Sequence, residues 1–556
     1  MVARLPLGIS DFKKIREEEL YFVDKSSFIE EVLESSGSIL LITRPRRFGK
    51  TINLSMLRYF FESPNDRNLF VDLAIEKSPS ITRQGTCPII FLSFKDIKEA
   101  DFSSFLAAFR SLLAQEYYRH RELLPSLDSF QQSQYQRILQ EEGSLVKTKE
   151  DLLRLSELLA THKGGQVILL IDEFDTPIYA AQYHGYYEEA VGFIRGLLGM
   201  ALKDNIHLEK AVLTGILRVA KESIFSGLNN VDVYTVLQER FGDKFGFTEA
   251  EVTTLLEQHG LVSHLDEIRS WYNGYTMGTT LIYNPWSILN IIDKFNEGFQ
   301  PYWINTSSND LIRHELSKAT QAVQTGLEAL IQGETIKRVV AVHTSMHELE
   351  QNDQSIWGFL LFSGYLKAED RVREQDKDYY LLAIPNREVR MLYVDIISCW
   401  MDKRLGSDGS AELLAHLLAN NMARFETLLQ DLVLGILSYH DVGGREPERV
   451  YHAFVLGLLV QLGNRYHIRS NRESGRGRYD ILLCPKQSSD IGLVLEFKTI
   501  DPGTDPNHAL DEALAQIQRM DYDRELIDAG VTEITHVAIT FTGKDIAVRS
   551  QNKKLG

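Results

Sequence analysis

The sequence predicts an α/β protein in which a parallel sheet with helices on both faces is followed by a helical region and a smaller domain. Three observations lead to this fold class. The apolar runs 39–42 and 166–171 each end in charged residues. Helical patterns separate them from further apolar runs at 87–94 and 208–216, and the longest of these patterns runs from about 102 to 159 with a break near Pro125. Beyond residue 450 the patterns follow the order αβββαβ, with the first helix predicted at 450–462 and the second at 509–520. Because strands alternate with helices, we expect parallel pairing in the first sheet.

The composition is that of an ordinary soluble protein. The 556 residues predict about two to four domains, and 44% are hydrophobic and 25% charged. No apolar run approaches the roughly 20 residues that span a membrane, and the N-terminal residues do not resemble a signal peptide. The three cysteines have no metal-type spacing. We therefore expect a cytoplasmic protein that does not contact a membrane.

The overall charge limits the kind of nucleic-acid binding that is expected. The net charge of −17 argues against broad, passive binding to DNA. It leaves room for a local basic groove, because phosphate contacts act within about a Debye length.

The first apolar run leads into a candidate phosphate-binding loop. It is followed by a short basic loop and by Gly-Lys-Thr, which opens a helical pattern that ends at Phe61. Backbone N–H groups of such a loop and the N-terminus of the next helix hold phosphate oxygens. We expect Lys50 to reach the β- and γ-phosphates and the Thr51 hydroxyl to bind Mg²⁺. The expected nucleotide contacts are Arg44, Arg46, Arg47, Phe48, Gly49, Lys50 and Thr51. The match to GxxxxGK[ST] is incomplete, since Arg44 occupies the first glycine position; the alternative is a basic loop before a surface helix.

The second apolar run ends in two acids. Asp172 and Glu173 would lie at the carboxyl end of a buried parallel strand, where open α/β sheets bind ligands. Asp172 would hold Mg²⁺, and Glu173 would orient and activate the attacking water. An acidic helix N-cap is the alternative. Both stretches together favour the nucleotide site, and therefore a P-loop NTPase sheet.

Two further residues are candidate γ-phosphate sensors. The run 208–216 ends near Thr214, and Arg218 follows it. A plain turn at Gly215 is the alternative. Upstream of the phosphate loop, Phe12, Tyr21 or Phe22 could flank the base, although we favour core positions for these aromatics.

The rest of the chain divides at composition shifts. Residues 1–240 form the predicted ATPase domain, 241–405 a mostly helical lid or intermediate domain, and 411–556 the last domain. The middle region contains Trp-Tyr-Asn-Gly-Tyr at 271–275 and Tyr-Asn-Pro-Trp-Ser at 283–287. These turn signals predict a compact turn-and-helix module, whose aromatics are more often core than base-stacking.

The last domain carries a candidate metal-dependent site. Asp480 begins one predicted strand, and Glu496 and Lys498 share one face of the next. If these strands pair as a meander, Asp480 lies beside Glu496, and the two carboxylates suit Mg²⁺ or Mn²⁺. The metal would activate water and Lys498 would stabilise the developing charge. Gln516 and His452 are further candidates on helices, and the basic residues at 472, 476 and 478 would attract a phosphate backbone. The alternative is an exposed sheet face with charged pairs.

Two family resemblances follow from these motifs. Residues 6–284, with the loop 44–51, Asp-Glu-Phe-Asp at 172–175 and Thr-Gly-Ile at 214–216, resemble the bacterial AAA-ATPase-like family, in which an arginine at the first glycine position is normal. The region from Val450 resembles the PD-(D/E)XK nuclease superfamily, with Tyr479-Asp480 in place of Pro-Asp. The helix-borne acid of many members has no clear counterpart here; Glu448 is the nearest candidate.

The expected function is an ATP-binding and ATP-hydrolysing protein with a Mg²⁺-dependent nuclease domain, in which ATP gates cleavage of DNA. The alternative is a nucleotide-driven switch whose last domain only binds nucleic acid or a partner. The sequence leaves open DNA against RNA, strandedness and oligomeric state, a homo-oligomer included.

Overall fold

The computed structural model describes residues 3–63, 66–216, 224–225, 228, 230–306, 310–317, 320–331, 333–340, 353–393, 395–396, 409–436, 455, 458–459, 462, 465–470, 473–474, 477–487, 490–501, 503–543 and 545–554. The chain forms two compact units. The first consists of Met1–Ser308 with Lys337–Val389, and the second of Asn309–Ile336 with Arg390–Gly556.

Eighteen strands lie in the described residues. They are β1 (Ile39–Thr43), β2 (Ile89–Ser93), β3 (Val167–Asp172), β4 (Leu208–Gly215), β5 (Val231–Tyr234), β6 (Phe247–Thr248), β7 (Tyr275–Met277), β8 (Thr280–Tyr283), β9 (Ile336–Val339), β10 (Lys367–Glu374), β11 (Lys377–Ala383), β12 (Tyr466–Ser470), β13 (Glu473–Ser474), β14 (Gly477–Arg478), β15 (Ile481–Pro485), β16 (Gly492–Thr499), β17 (Glu533–Thr542) and β18 (Asp545–Lys554).

The principal α-helices are α1 (Phe12–Glu17), α2 (Ser27–Glu34), α3 (Lys50–Phe61), α4 (Phe102–Arg119), α5 (Ser129–Leu139), α6 (Leu145–Lys163), α7 (Thr176–His184), α8 (Tyr187–Leu202), α9 (Glu249–Gln258), α10 (Leu265–Tyr272), α11 (Pro285–Asp293), α12 (Asp310–Ser317), α13 (Gln321–Ile331), α14 (Asp353–Phe362), α15 (Gly409–Leu418), α16 (Met422–Ile436), α17 (Pro506–Met520) and α18 (Arg524–Asp528).

The first unit is built on a five-stranded parallel sheet with strand order β2-β3-β4-β1-β5. Strands β1 and β3 are buried along their whole length, as expected for parallel strands covered on both faces. β4 lies between them and pairs with both. The carboxyl ends of β1, β3 and β4 therefore meet at one edge of the sheet, which brings the phosphate loop and the predicted acids together.

A single apolar core joins this sheet to helices α4, α6 and α8. It contains Phe105, Phe109, Leu155 and Ile194, all fully buried. Side chains cap these helices as the sequence implies: Asp101 accepts from the backbone N–H of Ser104 at the start of α4, and Ser144 accepts from that of Lys147 at the start of α6. The long helical tract predicted between 102 and 159 is confirmed, with its break at the 3₁₀ turn Arg121–Ser126.

The two aromatic motifs lie next to a small antiparallel sheet of the first unit, which has the strand order β6-β8-β7. Tyr272, Tyr275 and Tyr283 are buried, as the core interpretation predicts. Gly274 has φ +103°, and a Cβ there would collide with the carbonyl oxygen of Pro385, so this position requires glycine. The motifs therefore hold the segment around 385 against α10 and β7.

The second unit contains a five-stranded sheet of order β12-β15-β16-β17-β18. β15 pairs antiparallel with β16, and β16 pairs parallel with β17. α17 packs on β16 and β17 through Leu510, Ala513 and Ile517. The predicted meander is confirmed, and α17 forms the crossover between the parallel strands β16 and β17.

The sequence pattern does not indicate several elements of the fold. β5, the hairpin β10–β11 and the last strand β18 were not predicted. β18 pairs with β17 over ten residues, and Glu426 and Gln430 of α16 accept hydrogen bonds from the backbone N–H groups of Val548 and Ile546 at 2.7 and 2.8 Å. Of the helix predicted at 450–462, only residues 455, 458–459 and 462 are described. The domain boundaries at 240 and 405–411 stay a prediction.

Over the described part of the chain, no helix combines the length and apolar character needed to cross a bilayer.

Candidate functional site

The loop between β1 and α3 has the form of a phosphate-binding loop. Gly49 precedes α3 at φ +85°, and Arg47 has φ +67°, so the backbone turns through left-handed conformations before the helix begins. Lys50 is 5% exposed, and its Nζ donates to the carbonyl oxygens of Arg44 and Pro45 at 3.0 and 2.9 Å. Burial lowers the pKa of Lys50. The lysine is thus held inside the loop, where an anionic ligand would replace its carbonyl partners.

Arg44 departs from the expectation of a nucleotide contact. Its side chain is fully buried, and its guanidinium donates to the carbonyl oxygens of Thr43, Tyr234, Arg240 and Phe241. It also lies 5.3 Å from the ring centroid of Phe245. Because four backbone carbonyl oxygens converge on the guanidinium, its donors are used inside the protein. The role of Arg44 is therefore structural.

The loop and the acid strand are joined by hydrogen bonds. The Thr51 hydroxyl donates to Asp172 Oδ2 at 2.7 Å, and the Thr214 hydroxyl donates to Asp172 Oδ1 at 2.7 Å. Asp172 is fully buried, and burial raises its pKa. A hydroxyl and a carboxylate in contact at the start of α3 offer the hard oxygen ligands that Mg²⁺ prefers. Thr214 acts here as a partner of Asp172.

Glu173 follows β3 in a left-handed conformation, with φ +52°. This turn directs the chain away from the strand, and the Thr176 hydroxyl donates to Glu173 Oε2 at 3.1 Å. Glu173 lines the same cavity as Lys50 and Thr51. It is the one carboxylate among the described residues that line this cavity, and its position suits the activation of a water molecule.

The cavity has a volume of about 500 Å³, and many of the side chains that line it are basic. The basic residues are Lys25, Arg46, Arg47, Lys50, Lys98 and Lys244. Lys25 bonds Glu251 at 2.5 Å, and Lys244 bonds Glu31 at 3.0 Å. Arg46, Arg47, Lys50 and Lys98 add positive charge that these two ion pairs do not offset, which makes the cavity suitable for a polyanion.

The other part of the cavity wall is apolar. Tyr21 and Phe22 line it together with Val23, Pro6 and Ile9. Phe12 is fully buried in the core, edge-on to Phe22 at 5.4 Å. Two of the three aromatics considered for base contact thus reach the cavity, and the preferred core interpretation holds for Phe12.

Trp286 of the Asn-Pro-Trp-Ser motif also lines the cavity. The Arg47 guanidinium lies over its ring, 4.3 Å from the centroid. Asn284 caps α11 by accepting from the Ser287 N–H at 3.2 Å, which fixes the start of the helix that carries Trp286.

The residues predicted for the last domain converge. The register of β15 and β16 pairs Ile481 with Leu495, so one step further places Asp480 opposite Glu496. Asp480 Oδ2 accepts from the Phe497 N–H at 2.8 Å. Lys498 Nζ lies 3.6 Å from Glu496 Oε1. Phe497 is fully buried on the opposite face of β16, as strand alternation predicts.

Gln516 of α17 connects the two charged members of this cluster. It donates to Glu496 Oε1 at 2.5 Å and accepts from Lys498 Nζ at 2.8 Å. It also donates to the buried Tyr522 hydroxyl at 3.2 Å. The helix therefore orients both side chains. The donor set of two carboxylates from adjacent strands suits Mg²⁺ or Mn²⁺.

Some predicted residues lie outside the described residues: Arg218, His452, Glu448, Arg472 and Arg476. Within the described ranges, no three His, Cys, Asp or Glu side chains gather in a metal-binding group. A cation at either centre would complete its shell with hydroxyl, carbonyl, phosphate or water oxygens.

Two residues near the phosphate loop, Trp303 and Glu388, were not predicted from the sequence. Trp303 donates from Nε1 to the Arg46 carbonyl at 3.1 Å, and Glu388 accepts from the Trp303 N–H at 2.5 Å. In the sequence these are a single tryptophan and a single acid far from the loop. No spacing rule connects either residue with the loop.

The parallel sheet and the loop between β1 and α3 define an α/β unit with the P-loop NTPase fold, and the second unit adds a mixed sheet with an Asp…Glu-x-Lys cluster. Comparison with protein families agrees with both assignments. Residues 6–225 match the AAA-ATPase-like family, described as "Predicted AAA-ATPase", and residues 446–551 match the PD-(D/E)XK nuclease superfamily. The chain therefore contains an AAA-ATPase-like domain and a C-terminal domain of that nuclease superfamily.

Similarity to individual proteins extends along most of the chain. An "uncharacterized protein in vnfD 5′ region" of Azotobacter chroococcum mcd 1 is 28% identical over 515 residues, covering 90% of both chains. Among solved structures, the ORC2 protein of Aeropyrum pernix (ADPNP-ADP complexes) is 11% identical and covers 71% of this chain and 95% of its own, with a TM-score of 0.25.

Proposed function

We propose that the first unit binds and hydrolyses ATP with Mg²⁺. The observation that carries the proposal is the contact between Thr51 and Asp172 beside a cation-lined cavity. Mg²⁺, when bound, would neutralise the β- and γ-phosphate charge. Thr51 and Asp172 are the residues that would hold it.

Of the other residues that line the cavity, some would contact the phosphates and others the base. Lys50 exchanges its two carbonyl partners for phosphate oxygens, and Arg46 and Arg47 add positive charge at the mouth. Glu173 accepts a proton from the attacking water and orients it. The apolar wall with Tyr21 and Phe22 receives the base.

Replacing Lys50 by Ala tests this activity. We expect loss of binding of a fluorescent ATP analogue and loss of phosphate release. Lys95→Ala is the matched control, because Lys95 is an exposed lysine that does not line the cavity. A Lys50→Ala variant that hydrolyses ATP at the parental rate would exclude the site.

We propose further that the second unit cleaves phosphodiester bonds at Asp480, Glu496 and Lys498. Asp480 and Glu496 would hold Mg²⁺ or Mn²⁺, which supplies a more acidic bound water. Lys498, held by Gln516, stabilises the charge that develops on the scissile phosphate. The convergence of the three residues across β15 and β16 supports this role.

The proposed cleavage is of DNA and is gated by ATP, since both centres lie on one chain. Asp480→Ala should remove Mg²⁺-dependent cleavage while ATP hydrolysis remains. A panel of single- and double-stranded DNA and RNA with Mg²⁺ or Mn²⁺ identifies the substrate. Nucleotide binding without cleavage of any of these substrates would favour the second candidate, a nucleotide-driven switch whose last domain only binds nucleic acid or a partner.

A further inference from the structure

Glu388 is a buried carboxyl group at the end of the first unit. Its side chain is fully buried, and Val389 is the last residue assigned to that unit. Glu388 Oε2 accepts from the Ser287 hydroxyl at 2.8 Å, and Oε1 accepts from the Trp303 N–H at 2.5 Å. The Ile304 N–H donates to Glu388 as well. A carboxylate in the interior costs free energy unless directed donors of this kind stabilise it.

The contacts of Glu388 with Trp303 and with Ser287 both lead to the phosphate loop. Trp303 continues through its Nε1 to the carbonyl oxygen of Arg46. Ser287 adjoins Trp286, whose ring lies under the guanidinium of Arg47. The two routes from one carboxylate therefore end on neighbouring residues of the loop.

The backbone that carries Glu388 is itself fixed. Asn386 donates from Nδ2 to the Asn273 carbonyl at 2.9 Å, and the Val389 N–H donates to Asn386 Oδ1 at 3.0 Å. Gly274 packs against the Pro385 carbonyl. A further face of the loop is also covered, because Gly364 lies so close to Pro45 that an added Cβ would meet the Pro45 ring at 2.8 Å.

We propose that Glu388 is a positioning residue for the phosphate loop, acting on Arg46 through Trp303 and on Arg47 through the first turn of α11. The proposal rests on the proposed nucleotide site. Glu388, although far along the chain, would in this way help to set the conformation in which the loop binds phosphate.

The charge state of Glu388 adds a testable signature. Burial raises the pKa of Glu388 to about 7. The titratable groups that face it are the hydroxyls of Tyr272, Tyr275 and Tyr302, whose pKa values burial raises and which therefore stay neutral near pH 7. The carboxylate, present above about pH 7, accepts from its donors. The acid form, present below it, turns one acceptor into a donor and weakens one route.

Glu388→Gln tests the proposal because it keeps the shape and removes the titration. The measurement is the Kd of a fluorescent ADP analogue with the full-length protein at about pH 6 and about pH 8. We expect Glu388→Gln to raise Kd about ten-fold at about pH 8 and to differ little from the parent at about pH 6. Glu374→Gln, in the exposed β10–β11 hairpin where Glu374 pairs with Lys337 at 2.5 Å, is the matched control and should follow the parent.

Trp303→Phe provides a second test that leaves the carboxylate in place. It removes the indole N–H that reaches Arg46, and should raise Kd several-fold without removing the pH dependence carried by the Ser287 route. Thermal unfolding of each variant establishes that it is folded. Equal affinities of parent, Glu388→Gln and Trp303→Phe at both pH values would overturn the proposal, whereas a parent that binds no nucleotide would instead refute the proposed function.

Discussion

Arg44→Gly is a demanding test of how the phosphate loop is built, because it introduces the glycine of the GxxxxGK[ST] pattern. If the pattern alone governed the site, the change would improve it. The structure predicts the opposite. The guanidinium of Arg44 fills a fully buried position and satisfies carbonyl oxygens from three parts of the first unit.

The size of the effect follows from these contacts. The bonds to Thr43 and Tyr234, at 2.8 and 2.9 Å, are strong, whereas those to Phe241 and Arg240, at 3.3 and 3.4 Å, are long. Each strong bond from a charged donor contributes about 1.5–3 kcal/mol, and glycine adds about 0.5–1 kcal/mol of chain entropy. We expect a loss of about 4 kcal/mol in the free energy of unfolding.

Thermal unfolding of the full-length protein, with and without ADP, measures this loss. The apparent midpoint of the first unit should fall by about 5 °C or more, and nucleotide affinity should fall with it. Arg44→Lys keeps the charge with fewer directed donors and should lose about half as much. If Arg44→Gly unfolds within about 1 °C of the parent and binds ADP more tightly, the structural role assigned to Arg44 is wrong.

Four further predictions concern other residues. Glu173→Gln should keep ATP affinity and slow hydrolysis about 100-fold or more, because the water loses its proton acceptor; phosphate release measures this, and an unchanged rate would exclude Glu173 as the base. Lys98→Ala should weaken binding of an ATP analogue several-fold while Lys95→Ala does not, as titration fluorescence would reveal, since Lys98 lines the cavity and Lys95 does not. Gln516→Ala should slow cleavage about ten-fold in a nuclease assay from which the background cleavage of Asp480→Ala is subtracted, because Lys498 and Glu496 lose their common partner; parental cleavage would make Gln516 dispensable. Asp523→Asn should destabilise the second unit by about 3 kcal/mol in urea unfolding, since buried Asp523 bonds His536 and Lys553 at 3.3 and 2.7 Å. The His536 contact lowers the pKa of Asp523, so this contribution is present above about pH 4 and should be lost as the pH falls further.

Local patterns predicted much of the fold. The strands at 39–43 and 167–172, the break near Pro125 and the meander before Lys498 follow from hydrophobic periodicity and turn residues. The alternation of Glu496, Phe497 and Lys498 follows from the two-residue repeat of a strand. β5 and β18 were missed, because edge strands bury less and carry a weaker apolar pattern.

The sequence by itself determined that a Gly-Lys-Thr loop and an Asp-Glu strand end belong to one α/β sheet, and that Asp480 can lie on the same face of a sheet as Glu496 and Lys498. Each of these motifs is formed by residues close together along the chain, so short-range geometry fixes its local conformation. The tertiary structure decided that Arg44 faces backbone carbonyls, that Trp286 reaches the cavity, and that Glu388 connects to the phosphate loop. Those contacts join residues up to hundreds of positions apart, and packing of distant segments, which no local spacing encodes, brings them together.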